Sequence, residues 1–272
     1  MMASVAPLVR EGLHGAWAGV RGALRLLAFA GTNLLIALVF FLGLPWTLGS
    51  GARRRRWRDA VFATWARASL VCSGVGVEVR GTPPRGPCFL VANHLVYLDI
   101  WILAATTSAV FVAESGIERW PFFGFMAKQL SIIFIDRKNK RTIPEVNRRI
   151  EEELARGSVL VVFPESTNGD GRTLLPFRSS LLEPAARAGF PVAWATIGYR
   201  TRAPDPPASE AVVWKSGVRL PVHARRLLML DRIDATLTFG EGTVRGSDRK
   251  ALAAELHRRV EAGFPAVEPQ VG

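Results

Sequence analysis

The stretch Phe89-Leu90-Val91-Ala92-Asn93-His94-Leu95-Val96-Tyr97-Leu98-Asp99 decides how this chain is read. Phe89 to Ala92 is a short apolar run of the kind that forms a buried strand, and a helical pattern starts at Asp99 and continues to Thr106. Between them stand one of the four histidines and, five residues on, an aspartate. On one continuous helix, residues five apart lie roughly 140° from each other and share no face. A meeting of His94 with Asp99 therefore requires a turn. That places His94 on a loop after a strand and Asp99 at a helix start, where a carboxylate also suits the dipole. An imidazole beside a carboxylate is the usual apparatus for deprotonating a hydroxyl.

Outward from this junction the same alternation continues. Runs at Val75 to Arg80, Phe89 to Ala92, Val110 to Ala113, Ile132 to Ile135, Val159 to Phe163, Val192 to Ile197 and Ala235 to Phe239 read as strands. Asp99 to Thr106, Thr142 to Arg156, Ser179 to Ala188 and Ser247 to Ala262 read as helices. The helix from Thr142 carries Ile143, Val146, Ile150 and Leu154 at helical spacing, with Gly157 as its C-cap. Thr201 to Pro207 reads as a proline-rich surface loop. The pattern predicts an α/β domain: a mixed, largely parallel sheet flanked by helices. In such sheets, sites gather where strands end. Three polar segments do so: Asn93 to Asp99, Phe134-Ile135-Asp136-Arg137, and Phe163 to Arg172.

Ahead of this domain the chain is different. Leu26 to Ala52 contains no charged residue, and Leu34 to Leu42 is wholly apolar. The run exceeds the ~20 residues that a helix needs to span a bilayer. It begins too late and runs too long for an ordinary cleaved signal. Arg53-Arg54-Arg55-Arg56-Trp57-Arg58 follows at once, as at a membrane boundary on the cytoplasmic side. Arg10, Arg21 and Arg25 precede the run and weaken that asymmetry. Gly43-Leu44-Pro45 is placed to end the helix. A spanning helix, an interfacial helix and a shallow hairpin with Val61 to Val71 all fit, and each sets the arginines on anionic headgroups. The expected organisation is a membrane-associated helical region, residues 1–73, and a catalytic domain, residues 74–272.

The chain has 272 residues, 49% of them hydrophobic, and a formal charge of +12. Its sequence pI is near 11.0. Such a basic balance suits nucleic acid, an anionic membrane or an anionic substrate. No nucleic-acid signature accompanies the arginines, which abut lipid-like sequence instead. Cys72 and Cys88 have no metal-ligand or redox spacing and read as free thiols in a reducing compartment.

In order and spacing, the polar segments resemble the glycerolipid acyltransferases of the lysophosphatidate (1-acylglycerol-3-phosphate) acyltransferase type. That family carries H-x4-D, then G-x-x-F-x-x-R, then E-G-T-R, then an apolar block with prolines. His94 and Asp99 match the first block, with Asn93 before the histidine. Phe134 and Arg137 match the second, with Ser131 for its glycine. Glu165 and Thr167 match the third, with Ser166 for its glycine and Asn168 for its arginine. Phe177-Arg178 resembles the aromatic-basic pair that follows, and Pro191 begins a fourth block in which Trp194 replaces a proline. The likeness spans roughly residues 75 to 240.

The resemblance implies acyl transfer from a thioester to a lipid hydroxyl. His94 is then the general base and Asp99 the group that orients it; Asn93, Phe134, Arg137, Glu165, Ser166, Thr167, Asn168 and Arg178 are the expected substrate-binding residues. No cofactor and no metal are expected: acyl-CoA or acyl carrier protein is the co-substrate, and the thioester needs no covalent enzyme intermediate. The expected setting is the cytoplasmic face of the inner (plasma) membrane, with anionic lipids as partners and no nucleic acid. The commonest family acceptor, 1-acyl-sn-glycerol-3-phosphate, is the expected one. Its rival is a lyso-ornithine lipid, because asparagine at 168 supplies no charge for a phosphate. Bacterial relatives with a similarly altered block, then Asp-Gly and Pro-Phe-Arg/Lys-Ser-Ser, look like lyso-ornithine lipid acyltransferases. Two readings from other classes stand beside these: a lipid hydrolase with Ser166 as nucleophile, which lacks the G-x-S-x-G elbow, and a non-catalytic membrane-binding protein.

Overall fold

A computed structural model describes residues 5–107, 109–114, 132–135, 143–215 and 217–265. All seven expected strands are present: β1 Val75–Arg80, β2 Cys88–Ala92, β3 Ala109–Glu114, β4 Ile133–Ile135, β5 Val159–Val162, β6 Val192–Arg200 and β7 Ile233–Phe239. They form one sheet in the order β1-β7-β6-β2-β5-β3-β4. β6, β2, β5, β3 and β4 run parallel; β7 is antiparallel to β6, and β1 parallel to β7. The sheet is thus mixed and largely parallel.

The central strands are buried on both faces, which is why they read as unbroken apolar runs rather than as alternation. Along β2, Cys88, Leu90 and Ala92 face one core and Phe89 and Val91 the other. The first core is closed by helices α2 (Gly51–Cys72) and α3 (Leu98–Thr106). The second is closed by α4 (Ile143–Ala155), α5 (Glu183–Ala188) and α8 (Arg249–Gly263). On α4, Val146, Ile150 and Leu154 are buried at the expected spacing. Gly157 stands just past its end at φ +84°, a left-handed geometry that glycine adopts without strain.

The structure departs from the sequence reading in three places. Ser179 to Ala188 is not one helix but a 3-10 turn, Ser179–Leu181, and then α5. Pro184 sits in the first turn of α5, where its missing N–H costs no hydrogen bond, and so it starts a helix instead of continuing one. Two further helices, α6 (Ala208–Ala211) and α7 (Leu220–Met229), lie between β6 and β7. Finally, β6 runs past Ile197 to Arg200. Gly198 signals a strand end in the sequence, yet there it makes room: a Cβ at 198 would fall 2.3 Å from the ring of Pro265.

The N-terminal helix α1 (Val5–Gly43) ends at the expected Gly43-Leu44-Pro45 break. α2 then folds back along it. The indole N–H of Trp57 donates to the Phe40 carbonyl (3.2 Å), and that of Trp65 to Asn33 Oδ1 (2.9 Å), so the two helices are antiparallel. Gly43 gives Trp57 its place, since a Cβ would lie 2.1 Å from the ring. The segment Gly15–Gly43 is long and apolar enough to cross a membrane by length and composition. It leaves Leu34, Leu35, Leu38, Phe41 and Leu42 exposed. Arg53 to Arg58 form the opening turns of α2. The 73/74 division falls at the turn into β1, and α2 nonetheless places Phe62, Trp65 and Leu70 in the same core as β2. Trp65 meets Trp101 of α3 edge-on (5.8 Å between centroids), and Trp101 in turn meets Tyr97 at the same separation. Cys72 and Cys88 are free, and burial pushes the Cys88 thiol up to about 11.

Candidate active site

β2 and β5 are parallel neighbours, so the loops after both emerge at one edge of the sheet. The loop after β2 is anchored first. Asn93 is wholly buried; its amide donates to the Ile197 carbonyl (2.9 Å) while its Oδ1 accepts from Ile197 N–H (2.8 Å). This pair stitches the end of β2 to β6. Next, the His94 N–H donates to Glu165 Oε1 (2.7 Å), and its carbonyl accepts from Gly169 N–H (2.9 Å), tying the loop to the segment after β5.

The chain then turns as the five-residue spacing requires. Residues 95–97 bend back, α3 begins at Leu98, and Asp99 enters its first turn. Asp99 is entirely buried. Its Oδ2 accepts from the N–H groups of Leu95 (2.6 Å) and Val96 (3.0 Å) and lies 2.8 Å from His94 Nδ1. Its Oδ1 accepts from the phenol of Tyr199. Carboxylate oxygens only accept, so the ring proton of a neutral His94 belongs on Nδ1 and the Nε2 lone pair is free. The ring stacks on Phe163 (4.2 Å, 17° between planes), and the side chain keeps 19% of its surface open. A base with a fixed tautomer and one accessible nitrogen is what hydroxyl activation needs.

Glu165 is buried, with Oε1 on the His94 N–H and Oε2 on the Leu175 N–H (3.0 Å). Burial pushes its carboxyl up to about 7 against the pull of these two hydrogen bonds. Asn93 and Glu165, both among the expected substrate-binding residues, spend their polar atoms on backbone in this structure. Both are closed off from solvent, and both use their polar atoms to hold backbone, because strand ends leave amide groups that need partners once buried.

The neighbouring third-block residues follow Glu165 around the same loop. Ser166 has φ +67°, the one left-handed non-glycine conformation among the described residues. Its Oγ is buried and hydrogen-bonds to no described group, so no base among the described residues activates it as a nucleophile. Thr167 is exposed. Asn168 is half-buried and its amide donates to the Trp214 carbonyl (3.3 Å). Arg178 is exposed at the base of the loop, its backbone N–H on the Pro164 carbonyl (2.8 Å). Phe134 is not part of this cluster: it lies on β4, the edge strand, with β3 and β5 between it and β2. Arg137 lies outside the described residues.

Tyr199 and Trp214 complete the site and were not read from the sequence, and Phe163, which heads the third segment, was not expected to stack on His94. Tyr199 was hidden by the apparent strand end at Gly198, and its rarity is the one signal for it, since the chain has two tyrosines. Trp214 joins the His94 loop by its N–H on the Leu95 carbonyl (3.0 Å) and stands 5.9 Å from Tyr97.

Residues 76–198 match the acyltransferase family. The lyso-ornithine lipid O-acyltransferase of Rhizobium meliloti is 31% identical over 217 residues, covering 76% of this chain and 73% of the relative. That of Pseudomonas aeruginosa is 33% identical over 199 residues, 72% and 75% of the two chains. The 1-acyl-sn-glycerol-3-phosphate acyltransferase of Neisseria gonorrhoeae is 27% identical, covering 75% and 81%. Among solved structures, the 1-acyl-sn-glycerophosphate acyltransferase of Thermotoga maritima shares the fold: TM-score 0.58 at 19% identity, over 86% of this chain and 97% of that one.

Proposed function

The chain belongs to the acyltransferase family, and from that premise we propose that it moves a fatty acyl group from a cytosolic thioester to the hydroxyl of a lysolipid, with His94 as general base. The observation that carries this is the 2.8 Å contact of His94 Nδ1 with buried Asp99, which leaves Nε2 on the open side of the ring. The acceptor oxygen attacks the thioester carbonyl as its proton passes to His94 Nε2. Asp99 steadies the imidazolium that forms. The tetrahedral intermediate then expels the thiolate, which takes up the proton, giving an ester and a free thiol. Acyl-CoA or acyl carrier protein is the donor, both anionic like the surface a +12 chain favours. α1 and the arginines that follow hold the enzyme on the cytoplasmic face of the membrane.

For the acceptor we place a lyso-ornithine lipid ahead of 1-acyl-sn-glycerol-3-phosphate, reversing the order that the commonest family activity suggested. Asn168 has no charge to offer a phosphate, and its amide is engaged by the Trp214 carbonyl. The Rhizobium meliloti and Pseudomonas aeruginosa relatives, at 31% and 33% identity, are lyso-ornithine lipid O-acyltransferases. The phosphate acceptor stays in view because exposed Arg172 and Arg178 flank the same loop.

Turnover of detergent-solubilised protein against a panel of both acceptors tests the assignment. His94→Ala abolishes transfer while folding is intact; retained transfer refutes His94 as the base. Asn168→Arg raises use of the phosphate acceptor relative to lyso-ornithine lipid. No change in that ratio would mean that this position does not select the acceptor.

A further inference from the structure

A basic cleft lies toward the opposite end of the strands from His94. The end of α1, the start of α2 and the end of α4 enclose a cleft of about 340 Å³ lined by Phe40, Leu44, Arg54, Arg55, Arg58 and Arg156, with Gly51 and Glu153. This is roughly ten times the ~30 Å³ share of one water molecule. α4 leads from the cleft into β5, and β5 leads out at its other end to Phe163 and Glu165. The cleft and the base are therefore separated by at least the length of that strand, and a ligand in the cleft is not the reacting acceptor.

The acids near it are already engaged. Glu153 takes Arg156 on one oxygen (2.8 Å) and Ser158 on the other (2.8 Å), and Asp59 takes Arg58 (3.3 Å). Arg54 and Arg55 have no acidic partner within ion-pair distance among the described residues. Arg55 Nη1 is buried with no hydrogen-bond partner there. An orphaned guanidinium nitrogen in a cleft is an unmet donor, and guanidinium geometry matches phosphate oxygens. Four arginines against their acidic partners Asp59, Glu152 and Glu153 leave a formal surplus of one positive charge. The apolar lining is Phe40 and Leu44, and their chain neighbours Phe41, Leu42, Trp46 and Leu48 are exposed. Free phosphate has no use for such a surface; an acyl chain does.

We propose that this cleft binds the phosphate of an anionic phospholipid, one molecule per chain, whose acyl chains lie on the outer face of α1. The proposal rests on the membrane-surface part of the proposed function and is independent of which lysolipid is acylated. Arg54 and Arg55 are the recognising residues; Arg53 and Arg56, equally charged and exposed, line no part of the cleft.

The test is equilibrium binding of fluorescent phosphatidylglycerol, with phosphatidylcholine as competitor, to the delipidated full chain in neutral detergent micelles. Saturable binding is expected, weakened at least about tenfold by R54Q/R55Q and little changed by R53Q/R56Q. Thermal melts of both variants check that folding is intact. Equal weakening by the two double substitutions would show a diffuse basic surface and overturn the proposal. So would binding indifferent to R54Q/R55Q, with the membrane reading left standing. No preference for phosphatidylglycerol in the unsubstituted chain would overturn both. Full displacement by inorganic phosphate would assign the cleft to free phosphate and overturn the lipid assignment.

Discussion

Tyr199 and Asp99 stand a hundred residues apart in the chain and meet as donor and acceptor in the closed floor of the site. The phenol is fully buried, and burial with the neighbouring carboxylate drives its ionisation well above the usual range for tyrosine, so it is a donor at every working pH. It occupies Asp99 Oδ1 and thereby directs Oδ2 to His94 and to the backbone of the turn. Tyr199→Phe deletes that hydrogen bond without emptying the space. A charge-assisted hydrogen bond of this kind contributes about 1.5–3 kcal/mol. The expected result is a kcat lower by roughly tenfold to a hundredfold at nearly unchanged KM. A normal kcat in Tyr199→Phe would show that Tyr199 only fills volume.

Glu165 links stability to pH. Its folded carboxyl lies at about 7, above the unfolded value near 4.5. The folded state therefore binds the extra proton, and this contribution is fully present below about 4.5 and fades as pH rises through 7. The window spans at most about 3 kcal/mol, an upper bound for one group. Melting temperatures in neutral detergent from pH 5 to 8 should fall faster for the unsubstituted chain than for Glu165→Gln, which cannot titrate. Parallel slopes would remove Glu165 as the source. Because Glu165 holds the His94 N–H, Glu165→Gln should also slow turnover.

Ser166 holds a conformation suited to glycine, at about 1 kcal/mol, and keeps a buried hydroxyl without a described partner. Ser166→Gly should raise the melting temperature by a few degrees and leave transfer active. Loss of all transfer would revive Ser166 as a reacting group, and an unchanged melting temperature would show that its conformation is relaxed.

The central strands were legible because a strand buried on both faces is uniformly apolar and bounded by turns, and β7 because its residues alternate between buried and half-buried. α4 was legible because it is amphipathic. Helix geometry showed that His94 and Asp99 can meet only across a turn, and the resemblance to the H-x4-D block was the reason to expect that they do. Other features depended on what lies across the fold. Gly198 ends a strand in isolation and continues one beside Pro265. α7 has no acidic residue in its first turn and no side-chain N-cap, so Pro221 in that turn is the one start signal it offers. At the site, the sequence marks Asn93 and Glu165 as polar residues at strand ends. Whether such a residue meets a substrate or ties two loops depends on which backbone amides arrive next to it. Here Ile197, His94 and Leu175 arrive.

The indole contact between Trp65 and Trp101 has a mechanical meaning. Asn33 on α1 holds Trp65 on α2, Trp65 abuts Trp101 on α3, and Trp101 abuts Tyr97 in the very turn that carries the base. No tether separates anchor from catalyst. The position of His94 relative to α1 is thus a property of packed rings, as rigid as the core itself. On the proposed membrane reading, that fixed spacing between α1 and the imidazole would set the depth at which an acceptor hydroxyl can be reached.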